Sequence, residues 1–441
     1  MSIKQTPVPH AIVSKAISES SIPEIGKASI REIVKLINII EKESGIKFIR
    51  MEMGVPGLSP VDRGTEAEIQ ALRNGAAAIY PPIEGIPELK DEASRFIKLF
   101  LNIKINPEGI IPTVGSMQGG FAAFLMSCRR EVAKDTTLFI DPGFPVQKQQ
   151  HQVLGLKYES FDVYNYRGQK LKNKLETYLK KGNISSIIYS NPNNPSWICF
   201  IEEELKIIGE MAKQYNITII EDLAYFGMDF RQNYSVPGIP PYQPTVANYT
   251  DNYILLISSS KVFSYAGQRI GIMAISDHLF HQSFPDLKKF YGTDKFGNAA
   301  IYGAVYAISS GTCHSAQYAL AAIFKAVNDG SYNFVEGVKE YGDKAKIMKK
   351  LFIQNGFKIV YDKDIDKPLA DGFYFTISYP GFSGGNLIEE LLYYGISAIS
   401  LDITGSEKTE GLRACVSQIK TDQMKTLEDR LKAFYINHPI N

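Results

Sequence analysis

The hydrophobic positions in the middle of the chain form short runs that alternate with longer amphipathic stretches. Short apolar runs bounded by polar residues are typical of buried strands, and apolar spacings of three and four residues are typical of helices. The predicted strands are residues 137–140, 184–189, 217–220, 253–257 and 270–275. Because helical segments such as residues 202–214 separate them, we predict βα units that build a mostly parallel, buried sheet.

The pattern differs towards both ends of the chain. Ser29-Ile-Arg-Glu32 has the residues of a capping box and precedes apolar residues at helical spacing, so it predicts the start of an N-terminal helix. After about residue 310, two helical patterns come before two strand candidates, at residues 315–327, 332–355, 373–378 and 414–417. This change predicts a second, smaller α+β unit.

Composition and charge narrow the class of protein. The chain has 441 residues, 44% of them hydrophobic and 22% charged, and a net charge of +1 without a basic stripe, so we expect a folded protein without a nucleic-acid partner. Its four cysteines lie far apart without a C-x-x-C pair, which argues against a disulfide framework and a metal site. Residues 1–4 are not followed by an apolar segment, and no apolar run is long enough to cross a bilayer. We therefore expect no membrane contact and a cytoplasmic location.

Lys261 lies in the sharpest local pattern of the chain, just after a strand candidate and among small hydroxyl residues. Dehydration lowers the pKa of a lysine amine and makes it available for Schiff-base chemistry. Taken alone, Lys261 is more simply a surface lysine. Ser258 stands three positions before it and Arg269 eight positions after it, so a hydroxyl and a guanidinium can converge with it on a phosphate.

A further phosphate-binding element is predicted where Gly115, Ser116 and Met117 follow a strand candidate and open a helix. Backbone N–H groups and the helix dipole hold anions at such a position. The alternative is a tight turn that requires glycine. The segment matches neither G-x-x-x-x-G-K-[ST] nor G-x-G-x-x-G, which weakens the case for a nucleotide-binding loop.

The segments around Gly115 and Lys261 resemble those of the class I and II aminotransferases, an aspartate aminotransferase-like family of fold type I that depends on pyridoxal 5′-phosphate (PLP). Further segments, given below, match this family in the same order along the chain. The resemblance covers about residues 50–417. It implies an α/β fold with a mostly parallel seven-stranded sheet flanked by helices in a large PLP-binding domain, residues 63–309. A smaller α+β domain would comprise residues 310–441, joined by an N-terminal segment, residues 1–62.

The resemblance also assigns roles around the cofactor. Lys261 would carry PLP as a Schiff base, and Asp222 would keep the pyridine nitrogen protonated. Tyr225 and Asn194 would bond the ring oxygen, and Phe144 would stack on the ring. Without the resemblance, Asp222 could cap a helix, Asn194 could shape an Asn-Pro turn and Phe144 could be plain core. The residues that would hold the phosphate are Gly115, Ser116, Met117, Ser258 and Arg269.

Substrate and partner residues follow from the same resemblance. Arg413 resembles the arginine that binds the substrate carboxylate, with Gly54 and Asn194 beside it, and a guanidinium suits a carboxylate. Tyr80 resembles the tyrosine that reaches the phosphate of the neighbouring subunit, which implies a homodimer. Without the resemblance, Arg413 could be a surface arginine, Gly54 a turn glycine and Tyr80 a tyrosine that only shapes a turn.

Two residues depart from the family pattern. Trp197, the only tryptophan, follows Ser196 where Thr-Gly is usual, and Tyr265 stands where an aliphatic residue is usual. The Trp197 departure leaves Asn194 in place but changes the following turn, and the Tyr265 departure concerns local packing more than Lys261.

The implied reaction moves an amino group from an L-amino acid to a 2-oxo acid by a ping-pong mechanism, in amino-acid metabolism. Lys261, Asp222 and Tyr225 would be the catalytic residues. A PLP-dependent lyase or synthase of the same fold stays open as an alternative. Transamination is favoured because no segment resembles the distinguishing features of those branches. A DNA-binding regulator on this fold would need more chain before Gly54 than this sequence has.

A hydrolase is a weaker alternative. Gly381-Phe-Ser383-Gly-Gly385 matches the G-x-S-x-G motif, but only His438 follows it as a candidate base. We therefore expect Ser383 to be a turn residue.

The substrate side chain is not specified. No arginine occurs between Arg269 and Arg413, so a dicarboxylate would need Lys288, Lys289 or an earlier arginine. An aromatic or other neutral amino donor is consistent with the many Tyr and Phe residues, but composition places none of them in the pocket.

Overall fold

The structure is a computed structural model that describes residues 5–440, so Met1 to Lys4, used above to predict a cytoplasmic location, lie outside the described residues. The helices are α1 (His10–Ser18), α2 (Ile30–Ser44), α3 (Asp62–Arg73), α4 (Pro87–Leu101), α5 (Gly115–Arg129), α6 (Pro145–Leu154), α7 (Gln169–Leu179), α8 (Glu202–Tyr215), α9 (Asp277–His281), α10 (Leu287–Tyr291), α11 (Phe296–Asn298), α12 (Tyr306–Ser309), α13 (His314–Asn328), α14 (Glu340–Gln354), α15 (Gly384–Tyr393) and α16 (Met424–Asn437). A π-helical segment, Ala299–Val305, connects α11 to α12.

The strands alternate with these helices in the middle of the chain. They are β1 (Ile49–Arg50), β2 (Ile110–Val114), β3 (Thr136–Asp141), β4 (Lys157–Asp162), β5 (Ile184–Ser190), β6 (Thr218–Asp222), β7 (Tyr253–Ser258), β8 (Ile270–Ile275), β9 (Lys358–Ile359), β10 (Lys363–Asp364), β11 (Lys367–Pro368), β12 (Tyr374–Ser378), β13 (Ile396–Ser397), β14 (Ile399–Ser400) and β15 (Leu412–Cys415). No helix in residues 5–440 is both long and apolar enough to span a bilayer.

The chain divides into two units. The first unit contains the chain up to Gly57, the segment Asn194–Ile198 and the chain from Lys339 onward. The second unit contains Leu58–Asn193 and Cys199–Val338.

The second unit is built on a seven-stranded sheet in the order β2-β8-β7-β6-β5-β3-β4. The pairs β3–β4, β3–β5, β5–β6 and β6–β7 are parallel, whereas β8 is antiparallel to β2 and β7. Every residue of β3, β6, β7 and β8 is buried, because helices such as α5 cover the sheet. The predicted α/β fold with a mostly parallel seven-stranded sheet is therefore confirmed.

The five predicted strands of the sheet are confirmed within two residues as β3, β5, β6, β7 and β8. Strand β4 was not predicted. It pairs only with β3, at the edge of the sheet, and Lys157 and Tyr158 are exposed. An edge strand with a polar, partly exposed face lacks the continuous apolar run on which the sequence prediction depended.

The first unit has a four-stranded sheet in the order β14-β15-β12-β9, in which each neighbouring pair is antiparallel. The predicted capping box is present at the start of α2, where Glu32 N–H donates to Ser29 Oγ (3.3 Å) and Ser29 N–H donates to Glu32 Oε2 (2.8 Å). Helix α1 was not predicted, because residues 1–28 show no clear apolar period.

The division between the units differs from the predicted domain boundaries. The predicted boundary after residue 309 assigns α13 to the small domain, but the structure has α13 in the second unit, which ends at Val338. The reason is packing: α13 lies against α3 and α4, and Gln317 Oε1 on α13 accepts a hydrogen bond from Ile86 N–H (2.9 Å). The N-terminal division lies at Gly57 instead of residue 62.

Candidate active site

Lys261 lies in the second unit, in the loop that follows β7, and is half-buried. Hydrogen bonds hold this loop: Ser264 N–H donates to Lys261 O (3.3 Å) and Tyr265 N–H donates to Ser259 O (3.1 Å). Ser258 is buried at the end of β7, and its Oγ accepts from Ser260 N–H (3.1 Å). The backbone of Lys261 is thus fixed at the carboxyl end of a central strand.

Asp222 ends the neighbouring parallel strand, β6, and lies opposite Leu256 of β7. Its side chain is buried, with Oδ2 accepting from Gln147 Nε2 (3.0 Å) and Oδ1 from Ala224 N–H (3.1 Å). Burial raises the pKa of Asp222 to about 6. Within the described part of the chain, no lysine, arginine or histidine forms a salt bridge with it. Tyr225, three residues on, is also buried.

A cradle for an anion lies at the start of α5. Gly115 has φ +64, and a Cβ there would lie 2.6 Å from Nη2 of Arg269. Arg269 is exposed and donates through Nη1 to Ala266 O (2.9 Å). A Cβ on Gly271 would lie 3.2 Å from the backbone nitrogen of Ser116. Glycines at both positions therefore allow the Arg269 guanidinium and the start of β8 to lie close to the first turn of α5, where backbone N–H groups can hold an anion.

Ser116 and Met117 form the first turn of α5 and are half-buried. Phe144 is half-buried at the N-cap of α6. Tyr80 is 90% exposed.

Arg413 lies on β15 in the first unit and is 1% exposed. It donates to Glu52 O through Nη2 (2.5 Å) and to Asn194 Oδ1 through Nη1 (3.3 Å). Its Nε is buried without a hydrogen-bond partner, and within residues 5–440 it forms no salt bridge. A buried cation without an acidic partner is costly, so this guanidinium is suited to an anionic ligand.

Gly54 belongs to the same cluster. A Cβ on Gly54 would lie 1.9 Å from the hydroxyl oxygen of Tyr374, and the Tyr374 ring centroid lies 4.5 Å from Cζ of Arg413. The first unit therefore brings together the three predicted substrate-binding residues, Gly54, Asn194 and Arg413.

Two residues that contact predicted site residues, one in each unit, were not predicted. Gln147, on α6, carries the hydrogen bond to Asp222, and its signal in the sequence was only a polar residue in the turn that follows Phe144. Tyr374 begins β12 and lies within the strand candidate at residues 373–378. Nothing in the sequence distinguished it from a residue that only packs in the hydrophobic core.

The rival hydrolase motif has a structural role in the first unit. Ser383 is the N-cap of α15, where its Oγ accepts a hydrogen bond from Asn386 N–H (3.4 Å). His438 Nε2 lies 2.8 Å from Glu390 Oε1. The expectation that Ser383 is a turn residue agrees with its capping role.

Lys288 and Lys289, named above for a second carboxylate, lie on α10 and are exposed. Next to them, Phe290 packs 4.8 Å from the guanidinium of Arg129 at the end of α5. Because α5 has 15 residues, this end lies about 20 Å from the anion cradle at Gly115. The two lysines are therefore far from the predicted phosphate site of their own chain.

The chain is similar to known aminotransferases. The family model for aminotransferase class I and II matches residues 46–431. A probable aspartate aminotransferase of Methanocaldococcus jannaschii is 27% identical over 352 residues, which cover 75% of this chain and 88% of the relative. An aspartate aminotransferase of Pyrococcus horikoshii is 26% identical over 369 residues, covering 83% and 82%.

A solved aminotransferase structure from Mycobacterium tuberculosis matches with a TM-score of 0.75 and 16% identity, over 95% of this chain and 98% of that one. This likeness confirms the predicted fold type I. A lyase or synthase is not favoured by these matches. The family model matches most of the length of this chain. The chain therefore belongs to the class I and II aminotransferase family and is a transaminase.

Proposed function

We propose that this transaminase holds PLP on Lys261 and transfers an amino group from an L-amino acid to a 2-oxo acid by a ping-pong mechanism. The observation that carries the cofactor proposal is Asp222, a buried carboxylate at the end of β6 without a cationic partner among residues 5–440. Asp222 would bind the protonated pyridine nitrogen, which supplies the missing positive charge. Bound PLP supplies an electron sink for the pair left when a bond at the substrate Cα breaks.

The phosphate of PLP fits the cradle at α5. Gly115, Ser116 and Met117 would offer backbone N–H groups at the helix start, and Arg269 would add a guanidinium. The lack of a Cβ at Gly115 lets the Arg269 guanidinium approach the start of α5, because a Cβ there would lie 2.6 Å from Nη2 of Arg269. Ser258, at the end of β7, would donate its hydroxyl.

The remaining cofactor contacts would orient the ring. Tyr225 and Asn194 would donate to its oxygen, and Phe144 would lie against its face. Lys261 would hold the cofactor covalently through Nζ. With the amino substrate bound, Nζ of Lys261 would be the base that accepts the proton of the substrate Cα and the acid that later donates it.

Arg413 would bind the carboxylate of the amino acid and of the oxo acid. Its guanidinium is buried and has no acidic partner in the described chain, so a substrate carboxylate would neutralise it. Asn194 already contacts Arg413 and would bind the same carboxylate. Gly54 would lie against the substrate carboxylate, and its lack of a side chain leaves room for the hydroxyl of Tyr374.

Tyr80 would reach the cofactor phosphate of a second copy of this chain, in a homodimer. Support comes from its exposure: 90% of its surface is accessible, and the preceding Ile79 is 60% exposed. Large apolar side chains exposed side by side are typical of protein interfaces.

Aspartate is the first amino donor to test, because the relative from M. jannaschii is a probable aspartate aminotransferase and the relative from P. horikoshii is an aspartate aminotransferase. Phenylalanine is the matched neutral donor. Each would be assayed with 2-oxoglutarate and with pyruvate, by following the oxo acid formed. A change in the cofactor spectrum without oxo-acid formation would contradict transamination and support a lyase.

Replacing Lys261 with Ala tests the cofactor assignment. We expect the purified Lys261→Ala variant to lose the visible absorbance of the PLP–lysine linkage and all measurable turnover, because no other group in the loop offers an amine. Lys206→Ala is the control, since Lys206 is exposed on α8, and it should keep both signals. Turnover by Lys261→Ala at the wild-type rate would refute the assignment.

A further inference from the structure

Trp197 adopts an unusual backbone conformation beside the Arg413 cluster. It belongs to the segment Asn194–Ile198 of the first unit, has φ +66 and is 1% exposed. A positive φ is rare for a bulky residue and persists only where the surroundings hold it. Glycine would take the same backbone conformation without strain, so the large side chain itself calls for an explanation.

The indole of Trp197 fills a notch at Gly372. A Cβ on Gly372 would lie 2.1 Å from Cε2 and 2.2 Å from Nε1 of Trp197, so no other residue at position 372 leaves the ring in place. Gly372 stands two positions before Tyr374, the first residue of β12. The notch therefore fixes the indole next to the start of this strand.

The indole meets Tyr374 edge to face, with ring centroids 6.1 Å apart and an interplanar angle of 71°. This T-shaped geometry is the favoured one for aromatic pairs. Tyr374 is 2% exposed, and its hydroxyl abuts Gly54. Contacts at the ring edge and at the hydroxyl leave Tyr374 little freedom to rotate.

Tyr374 in turn supports Arg413. Tyr374 pairs with Cys415 and Thr376 with Arg413 across β12 and β15, so Tyr374 and Arg413 are diagonal neighbours on one face of the sheet. Cζ of Arg413 lies 4.5 Å from the ring centroid, which is a cation–π contact between buried groups. The ring of Tyr374 is thus a platform for the guanidinium.

We propose that Trp197 is a positioning residue for the carboxylate-binding guanidinium of Arg413 and acts through the ring of Tyr374. The segment that contains Trp197 then contacts the guanidinium twice, directly through Asn194 and indirectly through this aromatic pair. The inference rests on the proposed function, in which Arg413 binds the substrate carboxylate. Since amino and oxo acids share that carboxylate, Trp197 affects the binding of both.

The first test needs no variant, because Trp197 is the only tryptophan of the chain. Sodium succinate, which has carboxylates but no amino or oxo group, is titrated into the PLP-loaded full-length protein. We expect the tryptophan emission to change saturably, with the same Kd that calorimetry gives for succinate. Constant emission while calorimetry records binding overturns the proposal.

The second test compares two variants with the same backbone strain. Trp197→Leu lacks an aromatic ring, and we expect its Kd for succinate and its KM for amino and oxo acids to rise roughly threefold to tenfold, the worth of one aromatic pair. The kcat should change less, because the reacting groups are untouched. Trp197→Phe keeps a ring and should recover most of the affinity.

Phe434→Leu is the matched control, because Phe434 is a fully buried aromatic of the same unit that packs on Tyr379 and Tyr394. It should lower the melting temperature and leave the Kd for succinate unchanged. A wild-type Kd for succinate in Trp197→Leu overturns the proposal. If Trp197→Leu does not fold, the fluorescence titration of the wild-type protein with succinate tests the proposal by itself.

Arg413→Gln separates this inference from the proposed function. If Arg413→Gln binds succinate as tightly as the wild type, the carboxylate assignment itself fails. If Arg413→Gln loses binding while Trp197→Leu keeps it, Arg413 binds the carboxylate and only the positioning role of Trp197 fails.

Discussion

Two buried side chains, one in each unit, carry charge that no described residue of opposite charge neutralises. The carboxylate of Asp222 in the second unit accepts hydrogen bonds from Gln147 Nε2 and Ala224 N–H, and the guanidinium of Arg413 in the first unit donates to a carbonyl and an amide oxygen. Buried charges without partners lower stability. A raised pKa such as that of Asp222 is typical of functional sites, and the signs of the two buried charges match a protonated ring nitrogen and a carboxylate.

Asp222→Asn should stabilise the cofactor-free protein at pH 7. Burial raises the pKa of Asp222 to about 6, above roughly 4 in an unfolded chain. The folded protein therefore binds the proton more tightly, and ionisation of Asp222 destabilises it as the pH rises from about 4 to about 6. At pH 7 the full penalty of about 2–3 kcal/mol is present, and Asn removes it. Thermal unfolding of the apoprotein measures the gain.

The gain should disappear at pH 4, where the carboxyl of Asp222 is protonated in the wild type as well. PLP should respond in the opposite sense, with a weaker affinity in Asp222→Asn, because the ring nitrogen loses its anionic partner. Asp91→Asn, at an exposed site on α4, is the control and should change neither property. Equal melting temperatures of wild type and Asp222→Asn apoproteins at pH 7 would contradict this account.

At the scale of elements, hydrophobic patterning predicted the central strands because they are buried on both faces and read as continuous apolar runs. It also predicted that Asp222 and Lys261 follow strand ends, and parallel strands β6 and β7 bring those ends to one edge of the sheet. Gln147 and Tyr374 could not be predicted in this way. Their contacts depend on tertiary packing, which leaves no period in the sequence.

The assignment of α13 to the second unit escaped prediction for the same reason. Its amphipathic pattern predicts a helix but does not say which partner covers the apolar face. Ser315, on α13, donates to Glu68 Oε1 of α3 (3.2 Å), and Tyr265, in the loop after β7, donates to Glu68 Oε2 (2.6 Å). A buried carboxylate thus ties α3, α13 and the Lys261 loop together, and it explains a tyrosine at position 265.

Tyr265→Leu, which restores the usual aliphatic residue, should destabilise the protein. It removes one donor from Glu68, which is 8% exposed, and an underbonded buried acceptor costs about 1–3 kcal/mol. Urea unfolding measures this loss. The double variant Tyr265→Leu with Glu68→Leu should regain part of it, because replacing both partners by apolar groups leaves fewer polar atoms unsatisfied. A single variant as stable as the wild type would show that the Glu68 contact contributes nothing.

At the scale of the whole molecule, the second unit exposes an apolar side chain next to Tyr80. Ile79 is 60% exposed, and Tyr80 itself is 90% exposed. His314, at the start of α13, lies with Nδ1 3.1 Å from Ile79 O, so the segment around Tyr80 lies beside the start of this helix. Such a surface suits a second copy of the chain.

Mixing two impaired variants tests whether Tyr80 acts across a homodimer. Lys261→Ala lacks the cofactor lysine, and Tyr80→Ala should bind PLP more weakly because the phosphate loses a hydroxyl donor. In a mixed dimer, the subunit that carries Tyr80→Ala keeps Lys261 and receives Tyr80 from its partner, so one of the two sites has both groups. We therefore expect a mixture, unfolded and refolded together at limiting PLP, to be more active than the sum of the separately refolded variants. Mixing without refolding keeps the original dimers and serves as the control. If Tyr80 serves the site of its own chain, no subunit of the mixed dimer has both groups, and the activity stays at the sum.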